Sequence, residues 1–592
     1  MALIVGHTTD ESAWIWVRGS RNVRRLTVEL RGVFKKNGES VEGCEVESVL
    51  VYAERDYTDV VRFNSGLHPN TRYEVELTSE DLPAVNGEVP AITGQLRTFS
   101  EADQPNPFCF LHGSCNLPVD RMTALGSAAA GLLGAAATTK ALELPVSRWD
   151  VQRAPWYMRW VSWPGIRIVS IPVLKVAASV PGLAMYFTRF EQEKPLLPSP
   201  FEPILANALH DGEANRPNKQ SKKTDPDRPN RPAFMIHCGD QIYYDVDFPT
   251  PSGRVRDYRR NYLQSWLKDE HAAQVLRSFP HYMILDDHEI VDNFGTDPEE
   301  AETEQTLLRP ALRAYQEYVG SRQPRASKRP ESLYYHFAHG KTGFFVLDTR
   351  TERSVKDKRI IGEEQLEALE AWLKGTAYDL RFIVSSVSFV AQLRPPGLDR
   401  NRERLSDKKA DKWCGDAWKT QRDRIICAIC AAGVDRLVFL VGDMHCTYHA
   451  RMLIGDRRKR TTVHELAGGP LNQIQFAKRD DFYARYTAEI EIPRDSQEDA
   501  FPKVPREARS IENQNVLPWT STLEAFHGSA PSVLKVSVTP ESDKSTLEVR
   551  WTALRTSPAR EERERRPNFP SPVDPHELCG RIRFHRRAKE AK

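Results

Sequence analysis

Hydrophobic and polar residues alternate along residues 1–98 with the two-residue period of half-buried β-strands. The alternating segments are SAWIWVRG, RLTVELRG, VESVLVYAE, TDVVRFNS, RYEVELTS and QLRTFS, and the turn-forming sequences NG, SG and HPN lie between them. Several short strands of this kind, separated by turns, are typical of a sandwich of two β-sheets. The pattern therefore predicts an all-β sandwich of the immunoglobulin or fibronectin type over residues 1–98.

A different pattern follows, in which short continuous hydrophobic runs end on acidic residues, cysteine or histidine. The runs are FCFLHGSCN (108–116), AFMIHCGDQIYYD (233–245), HYMILDDHEIVDNFG (281–295) and RLVFLVGDMHCTYHA (436–450). Continuous short runs predict strands that are buried on both faces. Because ligands collect at the carboxyl ends of strands in open α/β sheets, we expect the polar residues at these ends to share one site: Cys115, Asp240, Tyr243, Asp287, His288, Asp443 and His445.

Strand and helix patterns alternate between residues 105 and 475, which predicts an α/β core. Residues 301–320 predict a helix interrupted by a proline, and residues 362–375 predict an amphipathic helix. Residues 334–353 predict a hairpin and residues 381–390 another buried strand. Residues 476–592 then form a carboxyl-terminal extension, in which residues 532–554 predict a closing β-hairpin before a charged tail.

An insertion at residues 117–232 separates the first hydrophobic run from the second. Residues 122–139 are uncharged and rich in Ala and Gly, and residues 160–187 mix aromatic, proline and basic residues. A transmembrane helix needs about 20 strongly apolar residues, and residues 122–139 are too short and too weakly apolar. We expect helices packed over the core; the alternative is an interfacial element that contacts lipid through residues 122–187.

Composition narrows the class of protein. At 592 residues the chain is long enough for roughly two to four domains. Its 40% hydrophobic and 28% charged residues are typical of soluble globular proteins. The net charge of +2 and the lack of an aromatic-interleaved basic stripe argue against a nucleic-acid partner.

The start MALIVGHTTDESAWIW does not read as a signal peptide, so we expect a cytoplasmic protein, with membrane association as the alternative. The sequence does not indicate an oligomeric state.

The residues at the strand ends suit a metal cluster. The carboxylate of Asp240 could bridge two cations about 3.5–4 Å apart, as in two-metal hydrolases. A phenolate from Tyr243 and a thiolate from Cys115 would favour trivalent iron. Oxygen ligands from Asp287 and Asn293 would suit calcium, magnesium or manganese.

Asp443 and His445 would complete the coordination shell from the last strand. Such a centre binds phosphate oxygens and generates hydroxide near neutral pH. His288 lies beside Asp287, where it could stabilise the transferring phosphoryl group or protonate the leaving oxygen. The residue types therefore predict phosphate-ester hydrolysis.

The order of these motifs along the chain, SC…GDxxY…DDHE…GDxH, resembles the PhoD-like alkaline phosphatases, a family of calcineurin-like metallophosphoesterases. The matching segments are Ser114-Cys115, Gly239–Tyr243, Asp286–Glu289 and Gly442–His445. The resemblance implies a four-layer α/β sandwich as the catalytic domain over residues 105–475, excluding the insertion. It also implies iron and calcium, or magnesium or manganese, at the site.

By the same resemblance, Cys115 and Tyr243 are iron ligands, Asp240 is the bridging ligand and Asp287 is a metal ligand, with His288 as the catalytic histidine. The resemblance implies Asn293 as a calcium ligand, and the chain departs from the family at Asp292, where the first of two asparagines often follows DDHE. Arg350 and Trp418, in segments similar to the family's, are expected to be structural.

The leading hypothesis is hydrolysis of phosphate mono- or diesters at an iron-plus-divalent site with two or three ions. One alternative is a peripheral membrane-associated interaction protein that keeps the metallophosphatase fold without turnover. Another is a phosphodiesterase that acts on lipid-derived substrates. Both alternatives depend on the apolar segments of the insertion.

Overall fold

A computed structural model of the chain describes the fold over most of the predicted strands and helices. The described residues are 1–36, 39–101, 107–117, 199–208, 231–246, 253–296, 301–327, 329, 332–390, 411–455, 460–472, 519–526, 531–540, 546–556 and 579–585. The predicted elements at 122–139 and 160–187 lie outside them, as does most of the charged tail. Within the described residues, no helix has the length and hydrophobicity needed to cross a membrane.

The amino-terminal residues form two antiparallel sheets that share one core. The strands are β1 (Ala2–Thr8), β2 (Ala13–Arg18), β3 (Arg25–Lys36), β4 (Glu39–Leu50), β5 (Thr58–Phe63), β6 (Arg72–Thr78) and β7 (Ile92–Arg97). One sheet has the order β1-β2-β5 and the other β4-β3-β6-β7. Along β3 the predicted alternation holds, because Leu26, Val28 and Leu30 are fully buried in this core while the residues between them lie on the other face.

The remaining strands belong to two larger sheets. They are β8 (Phe108–Asn116), β9 (Pro232–Cys238), β10 (His281–Ile284), β11 (Tyr335–His339), β12 (Thr342–Val346), β13 (Leu380–Ser385), β14 (Leu437–Val441), β15 (Tyr448–Gly455), β16 (Arg460–Ala467), β17 (Pro470–Asn472), β18 (Trp519–Phe526), β19 (Ser532–Pro540), β20 (Thr546–Arg555) and β21 (Cys579–His585). We call β10-β9-β8-β19-β20-β21, with β17 beside β8, the first central sheet. The second central sheet is β11-β12-β13-β14-β16-β15-β18.

The helices cover the outer faces of these sheets. They are α1 (Phe201–Ala208), α2 (Val255–Trp266), α3 (Glu270–Leu276), α4 (Ala301–Tyr318), α5 (Glu363–Lys374) and α6 (Lys419–Ala431). Apolar residues of α1 and α3 pack on the first central sheet, and those of α5 and α6 pack on the second. The predictions of α4 with its internal proline, of α5, and of the β11–β12 and β19–β20 hairpins are confirmed.

The two central sheets face each other across an aromatic core. Phe110 of β8 meets Phe382 of β13 edge to face with 5.4 Å between ring centroids, and Phe234 of β9 meets Phe344 of β12 at 5.3 Å. Edge-to-face contacts of this kind add to the stability that burial provides. The chain is thus a mixed α/β protein whose sheets are stacked between helices, as the continuous hydrophobic runs predicted.

The β1-β2-β5 sheet packs on α2 and α4. Ile4, Trp16 and Val60 share a core with these helices. The indole Nε1–H of Trp16 donates to the carbonyl oxygen of Glu317 in α4 at 2.8 Å. This buried contact ties the amino-terminal strands to the α/β part of the chain.

Parallel pairing brings the carboxyl ends of several strands to one edge. Strands β8, β9 and β10 run parallel in the first central sheet, and β12, β13, β14 and β16 run parallel in the second. The strand predicted at residues 381–390 was too long, because β13 ends at Ser385. The backbone turns there, and Ser386 Oγ donates to Asp286 Oδ1 at 2.7 Å.

Candidate metal centre

Side chains from the ends of four strands meet where the two central sheets converge. Ligand atoms of Cys115, Asp240, Asp443 and His445 all lie within 4.8 Å of one another, and we call these residues the thiol group. Asp240, Asp287 and His288 form a second such group, and Asp286, Asp287 and Asp443 form a third, which we call the aspartate group. Because the three groups share members, they form one continuous cluster.

Tyr243 completes the cluster from the turn after β9. Its hydroxyl donates to Asp240 Oδ2 at 3.2 Å, and its ring lies 4.2 Å from the ring of His288. The side chain is fully buried. The residues predicted at the strand ends are therefore adjacent in space.

Asn293 reaches the cluster through its backbone. Its N–H donates to Asp287 Oδ2 at 2.7 Å, and the residue has a positive φ of 59°. The structure places Asn293 next to Asp287, and its side chain as a calcium ligand remains a prediction.

The backbone of the cluster has an unusual conformation. Cys115, Asp240, Asp443 and His445 have φ values of 56°, 55°, 49° and 50°, in the left-handed region. Residues other than glycine rarely adopt this region, and such strain is concentrated at functional sites. Gly239 also has a positive φ of 85°, and a Cβ there would lie 2.3 Å from Cβ of Asp286. The cluster therefore has a strained backbone conformation that the surrounding structure must stabilise.

The carboxylates of the cluster are short of hydrogen-bond donors. Among the described residues, Asp240 Oδ1, Asp286 Oδ2 and Asp287 Oδ1 find no hydrogen-bond partner, and all three atoms are buried. Burial raises the pKa of Asp240 well above its usual range, although His288 opposes the shift, and burial raises the pKa of Asp443 to about 8. Buried anionic oxygens normally pair with a donor or bind a cation. The donor set, with hard oxygens beside a thiol, a phenol and an imidazole, fits metal ions.

The thiol and the phenol belong to the same electrostatic environment. Burial raises the pKa of Cys115 and of Tyr243 well above their usual values, and the neighbouring Asp240 adds to both shifts. A bound cation reverses this effect, because it stabilises the thiolate and the phenolate directly. These two groups therefore suit a site in which an ion supplies the positive charge.

His288 is oriented by Asp245, a residue that the motif order did not single out. The Nδ1 atom of His288 lies 2.8 Å from Asp245 Oδ1 and 3.0 Å from Oδ2. Burial alone would lower the pKa of His288, but Asp245 and the carboxylates of Asp240 and Asp287 raise it well above 6.5. The sequence signal was the acidic end of the run GDQIYYD.

Glu289 connects the turn after β9 to the turn after β10. Its carboxylate accepts backbone N–H groups from Asp240 at 3.1 Å, Gln241 at 2.5 Å and Ile242 at 3.2 Å, and from Asp286 at 2.8 Å. A carboxylate that accepts several backbone N–H groups rigidly fixes the loops that provide them. The final residue of DDHE thus positions its neighbours.

Arg350 lies against the cluster, and its structural role remains a prediction. Its guanidinium is fully buried and pairs with Asp286 and with Asp411, whose Oδ1 is 2.6 Å from Nη1. Trp418 is also buried, and its ring lies 5.7 Å from the guanidinium carbon of Arg353. Asp411 was missed from the sequence because no motif flanks it.

The packed sheets and the buried anionic cluster at their shared edge agree with the predicted resemblance to metallophosphoesterases. A model of the family described as PhoD-like phosphatase matches residues 223–507, and the chain is similar to this family over those residues. The chain is 25% identical over 258 residues to alkaline phosphatase D of Bacillus subtilis (strain 168). That match covers 37% of this chain and 42% of the relative, so it spans less than half of the Bacillus protein.

The fold is also similar to a solved structure of PhoD. The superposition covers 94% of this chain and 87% of that chain with a TM-score of 0.54 and 15% sequence identity. At this identity the likeness concerns the fold alone.

Proposed function

We propose that this protein hydrolyses phosphate mono- or diesters at a metal centre built on the cluster. The observation that carries the proposal is the convergence of the thiol group and its neighbours around three carboxylate oxygens that are buried and lack hydrogen-bond partners among the described residues. Similarity to the PhoD-like phosphatase family supports the same reaction class.

The residues suggest a division between two kinds of ion. Cys115, Tyr243 and Asp240 would hold a trivalent iron together with Asp443 and His445, because thiolate and phenolate favour it. Asp240 would bridge to calcium, magnesium or manganese, held also by Asp287 and Asn293. When bound, such ions polarise the phosphoryl group and supply hydroxide near neutral pH.

His288 would assist departure of the leaving group. Asp245 engages Nδ1 and fixes the ring orientation, so Nε2 is the atom that would donate a proton to the leaving oxygen. The nearby carboxylates raise the pKa of the imidazole, which would suit a general acid. Asp245 would thus be a positioning residue.

The test combines metal analysis with a panel of phosphate esters. Purified protein is expected to carry iron with a visible thiolate or phenolate charge-transfer band. Asp240→Asn is expected to lose both the ions and the hydrolysis, whereas Asp357→Asn, at an exposed carboxylate, should retain both. Colourless, metal-free and inactive protein after reconstitution with iron and calcium would contradict the proposal.

The panel also separates the alternative substrates. It compares p-nitrophenyl phosphate, its bis ester and phospholipid vesicles. Preferential hydrolysis of vesicle phospholipid would favour a lipid-directed phosphodiesterase. Vesicle binding that depends on residues 122–187, without turnover of any ester, would favour the interaction protein.

We further propose that residues 1–98 are a separate sandwich of the immunoglobulin or fibronectin type. The support is their two-sheet arrangement around a shared core. Residues 105–475 would form the catalytic domain. The extension at 476–592 would contribute β18 to β21 to its two sheets.

A further inference from the structure

The aspartate group (Asp286, Asp287 and Asp443) differs from the rest of the cluster because lysine and arginine side chains already neutralise it. Lys412 Nζ contacts Asp443 Oδ2 directly and lies 2.9 Å from Asp411 Oδ2. Lys412 is only 4% exposed. A buried ammonium in contact with two carboxylates is a fixed positive charge at this position.

Arg350 adds a second fixed charge on the same side. Its Nη2 is 3.6 Å from Asp287 Oδ1 and 3.8 Å from Asp443 Oδ2, and its Nε donates to Asp286 Oδ1. Asp286 Oδ1 also accepts the hydroxyl of Ser386 at 2.7 Å. Each member of the aspartate group therefore has at least one cationic side chain within reach.

On the opposite side of the cluster the described residues supply no lysine or arginine, and the cationic group that faces Asp240 is the imidazole of His288. Among the described residues, neither Asp240 nor Cys115 forms an ion pair with lysine or arginine within 4.0 Å. Asp240 Oδ1, like Asp286 Oδ2 and Asp287 Oδ1, is buried without a hydrogen-bond partner among the described residues. Asp240 is thus the carboxylate of the cluster that no lysine or arginine neutralises.

We propose that Lys412 acts as an internal counter-ion at Asp443 and prevents a metal ion from binding to the aspartate group. The centre then takes one ion at the thiol group and one at Asp240 and Asp287. This inference rests on the proposed metal-dependent function and decides between two ions and three. The physical reason is that like charges a few ångströms apart in a buried site repel strongly, and Lys412 already uses Asp443 Oδ2.

Asp443 can serve both partners because a carboxylate has two oxygens. Its Oδ2 pairs with Lys412, while Oδ1 is the atom through which it would join the thiol group. Lys412 would therefore be a residue that determines metal stoichiometry.

The experiment compares metal content and metal affinity among Lys412→Met, Lys412→Arg and the wild type. Lys412→Met removes the charge at similar length, and Lys412→Arg keeps it. Lys374→Met, at an exposed lysine at the end of α5, is the matched control. Elemental analysis counts ions per chain after reconstitution with iron and calcium, and calorimetry follows calcium binding. Circular dichroism verifies that each variant is folded.

Wild type, Lys412→Arg and Lys374→Met are expected to bind about two ions per chain, one at the thiol group and one at Asp240 and Asp287. Lys412→Met is expected to bind a third ion or to hold calcium at least about tenfold more tightly. Three ions in the wild type would overturn the inference whether or not the variant folds. If the wild type binds metal and hydrolyses esters, but folded Lys412→Met binds the same number of ions with the same calcium affinity, this inference is wrong and the proposed function stands. Wild-type protein that takes up no ions and hydrolyses no ester would overturn it together with the proposed function.

Discussion

At the scale of single residues, the cluster depends on backbone conformations that L-amino acids avoid. Cys115, Asp240, Asp443 and His445 all have positive φ. Each such residue costs on the order of 1–3 kcal/mol, so the surrounding sheets must hold it in place. The strain turns each side chain away from the strand direction and toward its neighbours. The function of the cluster therefore depends on the backbone conformation at these positions as well as on the identity of the side chains.

Gly239→Ala should damage the centre through its backbone. The new Cβ would lie 2.3 Å from Cβ of Asp286 at a φ of 85°, so the two turns must separate. We expect a loss of stability of about 2–4 kcal/mol and a lower metal content. Thermal melting and elemental analysis measure both quantities.

Gly87→Ala is a matched control for this change. Gly87 has nearly the same φ of 86°, but no atom lies within 4 Å of its added Cβ. It should show only the conformational cost of about 1 kcal/mol and normal metal content. Equal losses for the two variants would mean that the contact with Asp286 is unimportant.

Asp245→Asn should disturb the orientation of His288 without a change in metal binding. The amide cannot stabilise the protonated imidazole as the carboxylate does, so kcat is expected to fall about 10²-fold with a small change in KM. Metal content should stay near the wild-type value, because Asp245 lies outside the three ligand groups. A pH–rate profile should show a lower pKa on its alkaline limb. Unchanged kcat and unchanged profile would rule out this role for Asp245.

At the scale of secondary-structure elements, the parallel strands carry the site and the aromatic layer between the sheets holds the strands in register. The hairpin of β11 and β12 contributes His339 to this layer, at the opposite end of the strands from the cluster. Its ring lies 4.1 Å from the ring of Phe108 and 4.7 Å from that of Phe99. A histidine among phenylalanine rings is neutral in the folded protein, and this makes the hairpin sensitive to acid.

His339→Phe should make the folded protein less sensitive to acid. Burial lowers the pKa of His339 from 6.5 to about 4. As pH falls below 6.5, the unfolded chain binds a proton that the folded chain excludes, so stability is lost between pH 6.5 and about 4. The slope is up to about 1.4 kcal/mol per pH unit for one group. The variant should lack this part of the slope and should match the wild type above pH 7.

Chemical denaturation at several pH values between 4 and 8 measures this difference. His271→Phe, at a half-buried histidine of α3, offers a control for the replacement of a histidine by phenylalanine elsewhere in the fold. If His339→Phe loses stability with acid as steeply as the wild type, the ring of His339 is protonated in the folded state and the expectation is wrong.

At the scale of the whole molecule, the buried anionic cluster is a source of instability that bound ions would relieve. The two central sheets meet at this cluster, and the β1-β2-β5 sheet is anchored to α4 through Trp16 and Glu317. Repulsion among buried carboxylates therefore acts at the junction of several layers. Stability of the fold and occupancy of the centre should be linked.

Removal of metal should lower the melting temperature of the wild-type protein. An ion that binds only the folded state stabilises it by about 3–4 kcal/mol at 100 to 1,000 times its dissociation constant. Chelation should remove this increment, and re-addition of iron and calcium should restore it. Asp240→Asn should respond much less to chelation. Identical melting of chelated and reconstituted wild type would show that the cluster binds no ions.

The sequence by itself determined the elements and the identity of most residues in the cluster. The hydrophobic runs at 108–116 and 436–450 predicted strands whose carboxyl ends carry Cys115 and Asp443, because side-chain burial on both faces leaves a direct record in the sequence. The mixed α/β class and the resemblance to the PhoD-like phosphatases follow from the same runs and motifs.

Only the tertiary structure decided which further residues meet at that edge. Asp411 and Lys412 have no distinctive local pattern, and Lys412 lies 31 positions from Asp443 in the chain. Their contacts arise from the way loops fold back over the strands. Local periodicity records burial, whereas charge pairing between distant loops depends on three-dimensional packing, so these partners became visible only in the folded chain.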